Sequence, residues 1–181
     1  MAEIVIETER LILRTEAPGD LAIWALHMNT PAVMDHLGGP RDLHKIEAAF
    51  AATAANRARH GFSFMMMQHK ESGDLIGNCG LRRVDNPLAP AIMKDAFEIG
   101  WSLREDYWRQ GYAFEAASAA LDLAFNRFDA TIVYAMTSQR NEPSWRMMEK
   151  LGMHHCPELD FPDPDYAPRD NPTKIYAIEK P

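Results

Sequence analysis

The run Phe97-Glu98-Ile99-Gly100-Trp101-Ser102-Leu103 alternates large apolar residues with small or polar ones. After a short polar turn it gives way to an alanine-rich helical pattern. Phe97, Ile99, Trp101 and Leu103 at period two predict a strand. Phe114, Ala117, Leu121, Phe125 and Phe128 recur at helical spacing and predict a helix over Ala113–Arg127. Gly111 stands at the junction. A glycine there lets backbone N–H groups converge at a helix N-terminus, where the dipole favours an anion such as a phosphate. The same residues also make an ordinary strand-to-helix turn. Neither a Walker A loop nor G-x-G-x-x-G occurs in the chain, which argues against a nucleoside triphosphate or NAD as that anion. Beyond the helix, Thr131-Ile132-Val133-Tyr134-Ala135-Met136-Thr137 is a continuous apolar run suited to a strand buried on both faces. Strand, crossover helix and strand form a right-handed unit, so the two strands are expected to run parallel.

The flanking segments supply more elements of both kinds. Thr8–Arg14 reads as a first strand. Pro18-Gly19-Asp20 starts a helix that Asp20 can cap, with Leu21, Trp24 and Met28 on one face. Thr30-Pro31 offers a cap and a first-turn proline to a short helix ending at Gly38-Gly39-Pro40. Asp42–His60 reads as a long helix closed by Gly61, with Leu43, Ile46, Phe50 and the alanines inward. Phe62–His69 and Leu75–Val84 form a hairpin about the turn Glu71-Ser72-Gly73-Asp74, and Met65-Met66-Met67 reads as core filling. Asp85–Lys94 is a loop. Later, Asn141 caps a helix with Pro143 in its first turn, and Lys150 and Gly152 close it with Met153 placed for a Schellman contact. Met153–Cys156 and Thr173–Glu179 read as a last strand pair. Between them Glu158–Asp165 is an acidic, proline-rich excursion. No repeat or linker interrupts the chain, so residues 1–181 are expected to form one mixed α/β domain.

Composition excludes several classes. A formal charge of −7 and a pI near 5.5 argue against a general nucleic-acid binder. Cys79 and Cys156 are too few for a disulfide framework and read as buried small hydrophobes. None of the seven histidines has ligand or triad spacing, so no metal is expected. No signal peptide or bilayer-spanning segment is recognisable, which points to a cytoplasmic protein without a membrane partner.

Four pieces in order resemble the GNAT superfamily of N-acetyltransferases, and within it the Rim-like ribosomal-protein N-terminal acetyltransferases. They are Arg10-Leu11-Ile12-Leu13-Arg14, then Glu98-Ile99-Gly100-Trp101, then Trp108-Arg109-Gln110-Gly111-Tyr112-Ala113-Phe114-Glu115-Ala116, and finally Asn141-x-x-Ser144-x-x-Met147-Met148-Glu149-Lys150-Leu151-Gly152-Met153. The family pattern Gln/Arg-x-x-Gly-x-Gly/Ala has Trp108 in its first place here, an aromatic that Rim-like members often carry. The resemblance implies a mixed sheet whose central parallel strands splay around acetyl-CoA. By position, the amides of Arg109, Gln110, Gly111, Tyr112 and Ala113 would hold the pyrophosphate. Trp101, Ser102 and Leu103 would line the pantetheine arm, the main chain of Trp101 and Leu103 pairing with it, and Asn141 and Ser144 would face its other side. Asn141 is equally explained as a helix cap.

The chemistry implied is transfer of acetyl from acetyl-CoA to a primary amine. A protein N-terminal α-amine, with a pKa of about 7.7–8.0, is roughly a tenth neutral at pH 7, whereas for a lysine the fraction is a few parts in ten thousand. Glu98 is the candidate general base; it reads equally as a solvated or ion-paired strand carboxylate. Many relatives place a tyrosine on the Asn141 helix to protonate the leaving thiolate. Met148 occupies that place, so Ser144 or a water is the candidate donor. The acceptor is expected to be a protein or peptide N-terminus, with a small amine such as a polyamine or an antibiotic as the alternative. A non-catalytic acyl-CoA-binding module is the third reading, and a monomer or homodimer is expected.

Overall fold

A computed structural model describes residues 2–181. Its spine is one eight-stranded mixed sheet in the order β1-β2-β3-β4-β5-β6-β8-β7. The strands are β1 (Ile4–Glu7), β2 (Leu11–Arg14), β3 (Phe64–His69), β4 (Leu75–Arg83), β5 (Phe97–Leu103), β6 (Ile132–Ser138), β7 (His154–His155) and β8 (Thr173–Glu179). Four helices accompany them: α1 (Asp20–His27), α2 (Leu43–His60), α3 (Tyr112–Asn126) and α4 (Glu142–Lys150). Every neighbouring pair is antiparallel except β5 and β6, which run parallel across the α3 crossover as their apolar patterning predicts.

The alternation in β5 sorts its side chains onto two layers. Phe97, Ile99 and Leu103 enter the core beneath α3, which meets them with Ala116, Ala117, Ala120, Leu121 and Ala124. The run of alanines lets the helix backbone lie close to the sheet, and Phe125 closes the end of the stripe. Glu98, Gly100 and Ser102 face the opposite layer, toward Trp24 of α1 and Ile46 and Phe50 of α2. Gly100 carries no side chain because Phe64 lies over it: a Cβ would stand 3.0 Å from the ring.

Several local expectations need correction. The first strand begins at Leu11, because Thr8 folds a turn with its Oγ1 accepting the Leu11 N–H at 3.0 Å; the preceding Ile4–Glu7 adds an unexpected edge strand. Asp20 does not cap its helix. Its carboxylate is drawn to the Arg14 guanidinium at 2.6 and 3.0 Å and to the Ala17 N–H at 2.6 Å, and Gly19 takes the cap position. The segment after Thr30 is a succession of turns that ends on Gly38 and Gly39, both at positive φ. In α2, Ile46 is buried and Phe50 half-buried, whereas Leu43 is 54 % exposed and Ala48, Ala49, Ala51 and Ala52 are exposed as well. The alanines there serve helix propensity, since only a narrow stripe of α2 is covered. The last hairpin is shorter than its pattern suggests, with Met153 and Cys156 buried just outside β7. The end of α4 is as expected: Gly152 at φ +86 donates to the Glu149 carbonyl and Met153 to the Met148 carbonyl, both at 3.0 Å, a Schellman closure.

The β3–β4 contact is tightest at Gly80, where a Cβ would lie 2.4 Å from the Ser63 carbonyl oxygen and 2.6 Å from the Phe64 Cα. Both are backbone atoms and cannot rotate away. Gly80→Ala is expected to destabilise the protein by about 3 kcal/mol, the upper end of ordinary overpacking. Urea unfolding with an unchanged m-value is the measurement that checks it.

Candidate active site

The two parallel strands part almost at once. β5 and β6 are in register only at Phe97–Val133 and Glu98–Tyr134. Backbone alternation determines what the parting exposes. The Val84 N–H donates to the Ala96 carbonyl and the Arg104 N–H to the Ile76 carbonyl, each at 2.9 Å, so even-numbered residues of β5 bond toward β4. The polar backbone groups of Ile99, Trp101 and Leu103 therefore point toward β6. On β6, donation from Lys180 to Thr131 and from Gln139 to Pro172 turns the odd-numbered residues toward β8, and Met136 and Ser138 face the gap. Some of these groups are already used. The Trp108 indole donates to the Leu103 carbonyl at 2.7 Å, and the Asn141 N–H donates to the Ser138 carbonyl at 3.0 Å. Trp101 keeps both its N–H and its carbonyl for an extended partner, while Leu103 keeps only its N–H.

At the open end of the gap lies the turn into α3. Arg109 and Gly111 both take positive φ, +60° and +85°, and Gly111 is the helix cap with no side chain bonded to it. Among the described residues, the N–H groups of Arg109 through Phe114 meet no protein acceptor. Converging free amides at a helix N-terminus fit a phosphate. The side chains around them are braced from outside. Arg10 donates to the Gln110 carbonyl at 2.9 Å and pairs with Glu115 at 2.7 Å, and its guanidinium covers the Tyr112 ring at 4.4 Å. The Tyr112 hydroxyl meets His69 at 3.1 Å, and the Gln110 amide donates to the Asp106 carbonyl. The Gln110 and Tyr112 side chains are thus committed to building the turn, which leaves their main-chain amides free.

The rest of the gap widens into a cleft of about 390 Å³. Ile99, Gly100, Trp101, Ser102, Asn141, Ser144 and Met148 line one wall, and Glu98 lies at the point of divergence. Asn141 was expected to cap α4, but its side chain makes no cap hydrogen bond, which leaves the amide free toward the cleft. Met148 is buried and has no proton to give. Glu98 is only 5 % exposed, and both carboxylate oxygens accept from Arg82, each at 2.9 Å. Burial pushes this carboxyl above the ordinary glutamate range, against the pull of the Arg82 guanidinium. Arg82 escaped the sequence reading because only the β4–β5 register places it opposite Glu98. The far wall is the Glu158–Asp165 excursion and its continuation, through Asp163, Tyr166 and Asp170. Asp170 accepts from Arg140 and Ser138, both at 3.1 Å; burial would raise its pKa, but these bonds hold it below the ordinary aspartate range.

Splayed parallel strands, free strand-edge groups and an amide-lined helix start fit an extended ligand that carries a phosphate. The chain belongs to the GNAT acetyltransferases: the family model described as "Acetyltransferase (GNAT) domain" matches residues 10–154. It is 30 % identical over 157 residues to the uncharacterised protein YkkB of Bacillus subtilis, covering 85 % of this chain and 87 % of that one. A crystal structure of an acetyltransferase from Agrobacterium tumefaciens is 31 % identical with a TM-score of 0.78, covering 96 % and 93 % of the two chains. Two more distant structures, both 16 % identical, share the fold: the RimL ribosomal L7/L12 alpha-N-protein acetyltransferase, at TM-score 0.75 over 99 % and 95 % of the chains, and a spermidine N-acetyltransferase from Vibrio cholerae with CoA and spermine, at 0.71 over 96 % and 97 %. The protein is therefore an acetyl-CoA-dependent N-acetyltransferase, which removes the non-catalytic reading. Among the described residues, no helix is long and apolar enough to cross a membrane.

Two outcomes follow from this geometry. Gly111→Val would force a β-branched residue to φ +85° and press it toward Arg10 Nη2, 3.3 Å from the added Cβ. Acetyl-CoA affinity by calorimetry should fall at least tenfold, about 1.4 kcal/mol, in a folded variant. Arg82→Ala leaves the Glu98 charge buried without its partner. Because Arg82 is itself 39 % exposed, the expected loss at neutral pH is about 2 kcal/mol, below that of a fully buried pair. The sign with pH follows from the raised Glu98 carboxyl. The penalty is full above its titration and shrinks as falling pH protonates it, since a neutral carboxyl has no need of the guanidinium. Denaturant titrations of both proteins from pH 4 to pH 8 check this.

Proposed function

We propose that this enzyme acetylates the α-amine of a peptide or protein N-terminus. The observation that carries this reading is the state of the carboxylate at the divergence of β5 and β6: both oxygens of Glu98 are engaged by Arg82. Such a group is a modest base, suited to an amine that is already substantially neutral. An α-amine, roughly a tenth neutral at pH 7, meets that condition and a lysine ε-amine does not. Proximity then does much of the work, because holding amine and thioester together removes a large part of the barrier.

In this reading the amides of Arg109 through Ala113 hold the pyrophosphate, and the main chain of Trp101 with the Leu103 N–H pairs with the pantetheine arm. Ser102, Asn141 and Ser144 flank that arm. Acetyl-CoA supplies an activated acetyl group as a thioester. The amine nitrogen attacks its carbonyl carbon, the C–S bond breaks, and the CoA sulfur leaves with the electron pair. The amine must shed one proton; Glu98, made more basic by burial, takes it directly or through water. The departing sulfur takes its proton from a water, or from Ser144 as that hydroxyl regains one from water, since Met148 has none to give. A second reading, a small polycationic amine as acceptor, is favoured by Asp163 and Asp170 on the far wall.

A short peptide with a free N-terminus should show a higher kcat/KM than the same peptide with its terminus blocked and a lysine available. Equal rates, or preference for the lysine, would return the small-amine reading to the front. Glu98→Gln should lower turnover by roughly 10²-fold, the low end for general-base loss, with acetyl-CoA affinity retained. Near wild-type turnover from pH 6 to pH 9 would leave Glu98 a purely structural partner of Arg82.

A further inference from the structure

Among the described residues, two charged side chains that line the cleft, Arg41 and Asp163, form no ion pair with each other or with any other group, and the rest are matched. Glu98 is matched by Arg82, and Asp170 by Arg140. Asp163 is only 6 % exposed and lines the same cleft. Among the described residues, no lysine, arginine or histidine forms an ion pair with it. Its Oδ1 accepts the Asp165 N–H at 3.0 Å, and its Oδ2 meets the Asn86 amide nitrogen only at 3.5 Å. A carboxylate withdrawn from water at this depth is costly unless a cation compensates it. The loop nevertheless holds it firmly in place. The Asp163 N–H donates to the Asn171 side chain at 2.6 Å, and the same side chain returns a hydrogen bond to the Asp163 carbonyl at 3.0 Å. Tyr166 lines the cleft beside it and adds a phenolic oxygen to the same wall.

We propose that Asp163 receives a second cationic group of the acceptor, an ammonium or guanidinium distinct from the amine that is acetylated. The inference rests on the cleft being the acceptor site of an N-acetyltransferase and deepens the α-amine reading: the acceptor is an N-terminus closely followed by a lysine or arginine. The chemistry separates the two cations. A carboxylate without a partner favours the charged form of any amine beside it, which would suppress nucleophilic attack by the reacting amine. Glu98, matched by Arg82, exerts no such uncompensated hold. Asp163 therefore suits a group that stays charged throughout the reaction. Its place on the far wall leaves the divergence of β5 and β6 to the reacting amine.

The test compares matched acceptors. Two dipeptide amides with free α-amines are used, alanyl-lysine and alanyl-norleucine, which differ by one positive charge. The wild-type enzyme should prefer the lysine peptide by at least tenfold in kcat/KM, with acetylation at the α-amine by mass spectrometry. Asp163→Asn keeps the shape and the Oδ1 acceptor, and should bring that ratio toward one. Asp163→Glu should restore part of it. Acetyl-CoA affinity by calorimetry establishes that each variant is folded. A wild-type ratio near one, or a ratio that Asp163→Asn leaves unchanged, overturns the proposal. A second pair, 1,5-diaminopentane against pentylamine, separates this inference from the α-amine reading. An Asp163-dependent preference for the diamine with poor use of both dipeptides would retain the second-cation site and remove the peptide acceptor.

Discussion

The structure turns on two strands that run side by side for only two residue pairs. β5 is paired along its whole length with β4, from Arg83–Phe97 to Gly77–Leu103, and β6 likewise with β8, from Ile132–Glu179 to Ser138–Thr173. Each strand is thus satisfied on its outer edge by an antiparallel partner, while the parallel contact between them ends at Glu98–Tyr134. The sheet is in effect two antiparallel blocks hinged at that point, and their divergence leaves backbone donors and acceptors facing a gap. Unpaired strand edges ordinarily invite association. Here they line a cleft inside the domain.

The electrostatics of the cleft follow from the same geometry. Because Glu98 is on the layer opposite α3, it is covered by α1 and α2 and cannot be a solvated strand carboxylate. It needs a partner, and the β4–β5 register supplies Arg82 directly across the ladder. Proton affinity at the site is therefore set by burial working against an adjacent guanidinium, two large effects of opposite sign. The far wall is built differently. Its carboxylates come from a loop between β7 and β8 that is pinned by Asn171, so its chemistry can vary without disturbing the hinge.

Elements were legible in the sequence where periodicity and local chemistry agreed. The parallel relation of β5 and β6 and the Gly152–Met153 closure of α4 are present as read, whereas the buried stripe of α3 keeps Ala117, Leu121 and Phe125 but takes Ala116, Ala120 and Ala124 in place of Phe114. The misreadings share a cause. Asp20 has a capping residue's chemistry, but Arg14 offered its carboxylate a charged partner. Leu43 and the α2 alanines were placed inward by composition, while only Ile46 and part of Phe50 find a surface to cover. In each case a contact from another part of the chain, or the lack of one, overrode a local preference.

By itself the sequence determined which segments become strands and helices and where the glycine turn into α3 falls. These depend on patterns a few residues long, and short-range sterics and hydrogen bonding decide them. Only the tertiary structure decided that Arg82 holds Glu98, that Trp108 takes the Leu103 carbonyl, and that Asp163 lines the cleft without an ion-pair partner among the described residues. Those facts depend on strand register and loop closure between residues far apart in the chain, and no local pattern encodes which distant charge will arrive opposite which.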